Sequence, residues 1–256
     1  MQSDPVAISS QMLNIVNFFD DTYLTIYSEL LNVELNDQLN FLKLNYLCNL
    51  NSDSKILDLC CGNGRHLCLL NNKYLVDGID INSYNISKAK ANMPQNAHGK
   101  LYTADATTFK QTYKYDFIYC LENSIGYLSD SETLTLFMNI SNNLLSKQGK
   151  MVIHFTNKDF LVKNLSHRIW FGNTKNGYLL EQRKLDSLHG NVTFEQIRIL
   201  KNKEKHCSIT LRLYTFHELK YLLKQANLKI TNVYGDFLSN SYTVESPAMI
   251  LEIVHI

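Results

Sequence analysis

Between Lys55 and Thr156 the sequence places five short apolar runs, "KILDLC", "YLVDGID", "KLYTAD", "YDFIYCL" and "GKMVIHFT", each followed by a polar or helical stretch. The stretches "NGRHLCLLNN", "SYNISKAKANM" and "SETLTLFMNISNNLLSK" carry helical patterns. A strand that returns in the same direction needs a crossover, usually a helix, so this rhythm dictates a parallel sheet with helices on both faces. In such sheets ligands bind beyond the carboxyl ends of the strands, near the point where strand order reverses.

On either side the pattern differs. Residues 9–31 put Leu13, Val16, Phe19, Tyr23, Ile26, Tyr27 and Leu30 on one helical stripe, and "LNFLKLNYLCNL" follows as a second helix. From Arg168 to Thr215, "GYLLEQRKLDS", "NVTFEQIRIL" and "HCSITLRLYT" read as antiparallel strands joined at His189-Gly190 and at "KNKEK". Alternation is imperfect at Val192, Phe194, Ile197 and Ile199, which leaves the register open. A helix, "TFHELKYLLKQA", and two strands, "KITNVYGDF" and "AMILEIVHI", close the chain. The expectation is one α/β domain over residues 1–256, with a helical cover over 1–50 and a β insertion over 166–214.

Composition narrows the function. With 256 residues, 45% of them hydrophobic, one core is readily filled. A formal net charge of +1 gives no general pull toward nucleic acid or an anionic membrane. No apolar stretch approaches the ~20 residues of a membrane span, and the N-terminus lacks a signal-peptide pattern. Six cysteines in a chain of this length do not make a disulfide framework, so the expected compartment is the cytoplasm.

The run "ILDLCCGNGRHLCLL" poses the sharpest question, because it holds both glycines and adjacent cysteines. Its strand enters a loop with Gly62 and Gly64, and a helix starts near Asn63 or Gly64. Glycine lets a ligand approach the backbone, and the helix start offers unpaired N–H groups. The next strand ends in Asp80, about twenty residues on, where a carboxylate can hold both hydroxyls of a ribose. Ser83 is expected to cap the helix that follows, which leaves Asp80 for that role. Asp105 ends the third strand, where it can accept from an adenine amino group while the Ala106 N–H faces a ring nitrogen; alone it would read as an Asx turn. A zinc reading of Cys48, Cys60, Cys61 and Cys68 lacks paired C-x-x-C spacing, so no metal is expected. No phosphate-binding lysine follows the loop, which excludes a Walker motif.

This set resembles the class I S-adenosylmethionine (SAM) methyltransferases. Their first motif is an acidic residue, a small residue, glycine, cysteine, glycine, any residue and glycine; here stand Asp58, Leu59, Cys60, Cys61, Gly62, Asn63 and Gly64. Cys60 replaces the first glycine, a modest departure for a small side chain. In "LLSKQGKMVIHF" a proline-glycine-glycine turn is reduced to Gly149, and in "RLYTFHELKYLLKQANLKITNVYGDF" Asn227 stands where glycine usually closes the helix. The resemblance implies a Rossmann-like seven-stranded sheet, mostly parallel with the last strand antiparallel, and helices on both faces. It also implies an N-terminal helical cover and a small antiparallel β insertion, expected to serve as a substrate lid. The cofactor would be SAM, leaving as S-adenosylhomocysteine (SAH). Its expected contacts are Tyr23, Tyr27, Asp58, Cys60, Gly62, Gly64, Arg65, Asp80, Ile81, Asp105, Ala106 and Leu121, the tyrosines lying on the helix that closes over SAM in relatives.

The acceptor class is read after the fourth strand. DNA amino-methyltransferases there resemble Asp/Asn-Pro-Pro-aromatic, whereas this chain has Leu121-Glu122-Asn123-Ser124; the Pro-Cys of cytosine C5 enzymes is absent. "NSIGY" resembles the loop of small-molecule N- and O-methyltransferases, including amino-sugar enzymes that carry histidine where Tyr127 stands. Tyr127 is expected to orient the acceptor and His66 to assist catalysis; a hydroxyl acceptor would need a base, with His66 or Glu122 nearest in sequence. Asn123, Trp170, Arg212 and Tyr214 are expected to face the substrate. The partner is thus a small-molecule acceptor, with no nucleic acid and no membrane, for a monomer or homodimer. The alternatives are an RNA or protein methyltransferase and a non-catalytic SAM-binding partner subunit.

Overall fold

The strand that leads into the glycine loop is interior throughout: β1 (Ile56–Leu59) is buried at every position. The computed structural model describes residues 10–256, so the first nine residues of the expected cover lie outside the described residues. β2 (Val76–Asp80), β3 (Leu101–Thr103), β4 (Tyr115–Cys120) and β5 (Leu145–Thr156) join β1 in a parallel array. Next in the chain come β6 (Arg168–Asn173), β7 (Gly177–Asp186), β8 (Asn191–Leu200) and β9 (Lys203–Arg212), which form a separate antiparallel sheet. β10 (Leu228–Tyr234) and β11 (Ala248–His255) complete the main sheet, whose order is β10-β11-β5-β4-β1-β2-β3. β11 alone runs against the others, pairing antiparallel with both β10 and β5. The order reverses between β1 and β4, which puts the ends of those two strands at the switch point.

Four helices precede β1: α1 (Ser10–Phe18), α2 (Asp21–Ile26), α3 (Ser28–Val33) and α4 (Leu35–Asn45). α5 (Arg65–Leu70), α6 (Ser83–Asn92) and α7 (Asp130–Asn139) are crossovers, α8 (Lys158–Lys163) leads into the insertion, and α9 (Phe216–Gln225) precedes β10. α7 and α9 both start in full capping boxes, Ser129 with Glu132 and Thr215 with Glu218, in which side chain and backbone satisfy each other. Asn227 closes α9 at φ 58°, the left-handed position for which asparagine is the best substitute for glycine. The core lies on both faces of the main sheet, with α7 and α9 on one side and α4 and α5 on the other. Among the described residues no helix is long and apolar enough to cross a membrane.

The cover and the insertion depart from expectation in instructive ways. The single stripe over 9–31 is broken at Asp20, whose carboxylate accepts from the Tyr23 N–H and caps α2. Leu13 and Leu30 consequently sit on outer surfaces, about half exposed. The insertion contains a fourth strand, β6, before the expected ones. β8 alternates imperfectly because its inner face turns polar: Val192 is buried, but so are Gln196 and Arg198, while Ile197 and Ile199 fall on the other parity.

Candidate active site

A cavity opens beyond the ends of β1, β2, β3 and β4, and its floor is built by the glycine loop. Gly62 and Gly64 have φ of 54° and 79°, and a Cβ on Gly64 would stand 2.8 Å from that of Ala89 in α6. Gly62 has open space where a side chain would be, a cradle on the cavity side. Cys60 also takes a left-handed φ, 63°, so glycine at this position spares conformational strain and the substitution is more than one of size. Cys61 is core filler, its sulfur packed against Gly78 in β2.

Three aspartates line the cavity around this loop. Asp80 Oδ2 accepts from the Gly62 N–H at 2.8 Å and Oδ1 from the Asn82 N–H at 2.8 Å, which orients the group and leaves lone pairs for a ligand. Asn82, and not Ser83, caps α6, accepting from the Tyr84 and Asn85 N–H groups. Burial raises the Asp80 carboxyl, opposed by those two N–H groups. Asp58 is buried beside the Tyr119 hydroxyl, and burial pushes its carboxyl up to about 8, opposed by Tyr119 and helped by Asp80. Asp105 forms an Asx turn, Oδ1 accepting from the Thr107 N–H and hydroxyl at 2.8 Å each, and still lines the cavity with Ala106 and Ile81.

The far side begins at the end of β4. Leu121, Glu122, Ser124 and Tyr127 line it, and Glu122 and Asn123 hold φ of 58° and 59°. Two consecutive left-handed residues other than glycine cost energy, and they turn the Glu122 carboxylate into the cavity. Glu122 Oε1 accepts from Gln38 Nε2 at 2.6 Å and from Arg65 Nη2 at 3.1 Å. Gln38 Oε1 in turn meets His66 Nε2 at 2.6 Å. Because Gln38 donates its amide to the carboxylate, its oxygen accepts, and His66 must carry its proton on Nε2. Burial pushes the His66 imidazole down to about 3, with Arg65 adding to it, so it is neutral at physiological pH. On the Glu122 carboxyl, burial acts upward, but His154, Arg65 and Gln38 outweigh it and hold the group below its ordinary value.

The roof comes from the cover. Met12, Ile15, Phe19, Tyr23, Leu24 and Leu31 face the loop and strand ends across the cavity. Tyr23 meets Phe19 edge-on at 4.9 Å between ring centroids, and Phe19 meets Tyr127 at 5.2 Å. Burial raises both phenols, Tyr23 and Tyr127, and the Glu122 charge adds to each. The roof is fastened to the insertion by Arg198, whose side chain is 0% exposed. Arg198 donates to the Phe18 carbonyl at 2.6 Å and to Asp20 at 3.2 Å, and its guanidinium lies 4.3 Å from the Phe18 ring centroid. Lys205 also donates to Asp20, and Gln196 to the Tyr27 hydroxyl at 2.9 Å.

Sequence reasoning and geometry agree on much of the floor and far side. Tyr23, Asp58, Cys60, Gly62, Arg65, His66, Asp80, Ile81, Asp105, Ala106, Leu121 and Tyr127 all line the one cavity. Six expected residues do not. Gly64 lies beneath the loop against α6, and Tyr27 stacks behind Tyr23 at 4.4 Å. Asn123 is buried, accepting from the Thr156 N–H. Arg212 ties the insertion to Asp130 and Glu218, and Tyr214 donates to Asp130, so both clamp β9 to α7 and α9. Trp170 is 74% exposed, because its neighbour Phe171 takes the inward parity of β6 and meets Tyr27. Glu122, expected only as a candidate base beside His66, lines the cavity, while Gln38, Phe19 and Leu31 are not among the expected site residues; Phe19 has its place on the apolar stripe as a signal, and Gln38 has none.

The residues present fit SAM. The Asp58 carboxyl at the cavity wall suits an amino group, the open cradle at Gly62 suits backbone approach, and Asp80 keeps acceptor capacity for hydroxyls. Residues 29–233 match the family model described as a methyltransferase domain. No curated protein matches the sequence. Among solved structures, a SAM-dependent methyltransferase from Clostridium acetobutylicum shares 17% identity and a TM-score of 0.80, covering 94% of this chain and 99% of its own. The CcbJ methyltransferase from Streptomyces caelestis has 17% identity and a TM-score of 0.74, covering 87% of this chain and 89% of its own. SAM-bound CalS10, an amino pentose methyltransferase from Micromonospora echinaspora, has 13% identity and a TM-score of 0.63, with 100% of both chains covered. These likenesses share the Rossmann-like fold.

Proposed function

Given that the chain belongs to the methyltransferase-domain family and uses SAM, we propose that it methylates nitrogen or oxygen of a small molecule held between the strand ends and the cover. The observation that carries this reading is the roof: cover residues line the same cavity as the glycine loop, so an acceptor there is enclosed on two sides. A polymer would need an open cleft, whereas here the roof is bound to the insertion through buried Arg198. In this reading the insertion acts as a lid through the cover.

Bound SAM supplies a methyl group already activated on a sulfonium, so the protein's task is positioning and exclusion of water. Asp80 would hold the ribose, Asp105 and Ala106 the adenine, Asp58 the amino group, and the loop from Cys60 to Gly62 the intervening chain. Tyr23 would close over the cofactor from the roof. Tyr127 would orient the acceptor by a hydrogen bond, since its raised phenol is not a base at neutral pH. His66 would present a neutral imidazole in the tautomer that Gln38 fixes.

The test is labelled-methyl transfer from SAM to small amines and alcohols, RNA and protein. Incorporation into small molecules is expected; incorporation confined to RNA or protein, or none at all, would contradict the reading. Tyr127→Phe should lower turnover by several-fold, the worth of one hydrogen bond, with SAM affinity nearly unchanged.

A further inference from the structure

The acceptor side of the cavity carries one carboxylate outside the set expected for the cofactor, Glu122. Only its Oε1 is engaged by Gln38 and Arg65; neither bond goes to Oε2, and the side chain is 39% exposed where it lines the cavity. The two consecutive left-handed residues at the end of β4 commit the backbone to this placement. The same cavity is lined by the rings of Phe19, Tyr23 and Tyr127, and aromatic rings attract cations. We propose that Glu122 binds the acceptor by its nitrogen, so that the methyl goes to an amine and not to a hydroxyl.

The chemistry agrees. An amine arriving as an ammonium is drawn to the carboxylate and gives one proton to water before reacting. Its lone pair then forms the N–C bond while the C–S bonding pair stays on sulfur, and the positive charge passes from sulfur to nitrogen. A fixed carboxylate beside that nitrogen stabilises the charge as it develops. The product's surplus N–H proton leaves to solvent. A hydroxyl would instead have to lose its proton during transfer, and the neighbouring groups are poor bases: the His66 imidazole is pushed down to about 3 and Glu122 lies below its ordinary value.

This inference rests on the reading of the cavity as a small-molecule methyltransferase site, and a binding measurement separates the two. The protein loaded with SAH is titrated with cyclohexylamine and, separately, with the neutral isostere cyclohexanol, by ligand-observed NMR. The amine should bind about tenfold more tightly than the alcohol, and Glu122→Gln should erase the difference while SAH affinity, a check on folding, is unchanged. Glu122→Asp, which keeps the charge, should restore part of the preference. Equal binding of the two probes, detectable binding of neither, or a preference that survives in Glu122→Gln would overturn the inference. So would a selective loss of SAM relative to SAH affinity in Glu122→Gln, since the carboxylate would then serve the sulfonium. If the protein bound no SAH at all, the underlying reading would fail instead.

Discussion

The floor and the roof of the cavity are built by opposite means. On the floor, loop and carboxylates follow one another within the first three strands, and each is fixed by groups at those strand ends: Gly62 and Asn82 on Asp80, Thr107 on Asp105. On the roof, Tyr23 and Phe19 owe their positions to side chains far along the chain. Arg198 and Lys205 grip Asp20, and Gln196 reaches Tyr27. The contrast teaches that the proposed cofactor floor is set by the strand ends themselves, while the roof over it depends on long-range packing between the cover and the insertion.

Removing a floor carboxylate should therefore abolish binding and spare the fold's long-range order. If Asp80 holds the ribose as proposed, Asp80→Ala loses two charge-assisted bonds, each worth roughly 1.5–3 kcal/mol, and SAH affinity should fall by a hundredfold or more in calorimetry. An unchanged dissociation constant would mean that Asp80 serves only the loop. The roof should respond the other way. Arg198→Met leaves Asp20 and the Phe18 carbonyl without their buried partner and should cost about 3 kcal/mol in denaturant unfolding. Hydrogen exchange should quicken in α1 and α2 before it does in β1 or β2; uniform quickening would erase the distinction between the two regions.

Protonation sharpens the same contrast. The Asp58 carboxyl is raised from 3.8 to about 8 in the folded protein, so between those values the folded state holds a proton that the unfolded state has lost. Stability of the ligand-free protein should accordingly fall as pH rises from about 4 to 8. If Asp58 receives the amino group of SAH, it must ionise to do so, and affinity should climb over the same window by up to about tenfold per pH unit. Asp58→Asn should flatten both trends. The smallest effect concerns the loop: Cys60→Gly relieves a left-handed φ of 63° and should be stabilising by at most about 1 kcal/mol, since glycine's greater freedom when unfolded offsets part of the relief.

Legibility followed the same divide. The alternation of runs made the sheet readable, and Asp80 and Asp105 could be placed because the end of a strand is a local feature. The left-handed state of Cys60 was hidden, since a small side chain there looks harmless until the backbone angle is known. The stripe over 9–31 reads as one helix, yet Asp20 within it caps α2 and breaks it. Gln196 and Arg198 read as defects in the β8 alternation, because nothing nearby reveals that a polar network with α1 and α2 covers that face. Trp170 and Phe171 differ only in strand parity, which composition cannot assign.

The arrangement of floor and roof is tested most directly by a crystal structure of the protein with SAH. The ribose hydroxyls should lie within hydrogen-bond distance of Asp80, the amino group beside Asp58, and the sulfur should face the space bounded by Tyr127 and Glu122, beneath Phe19 and Tyr23. A ligand whose ribose lies away from Asp80, or whose sulfur points away from Tyr127 and Glu122, would contradict the account.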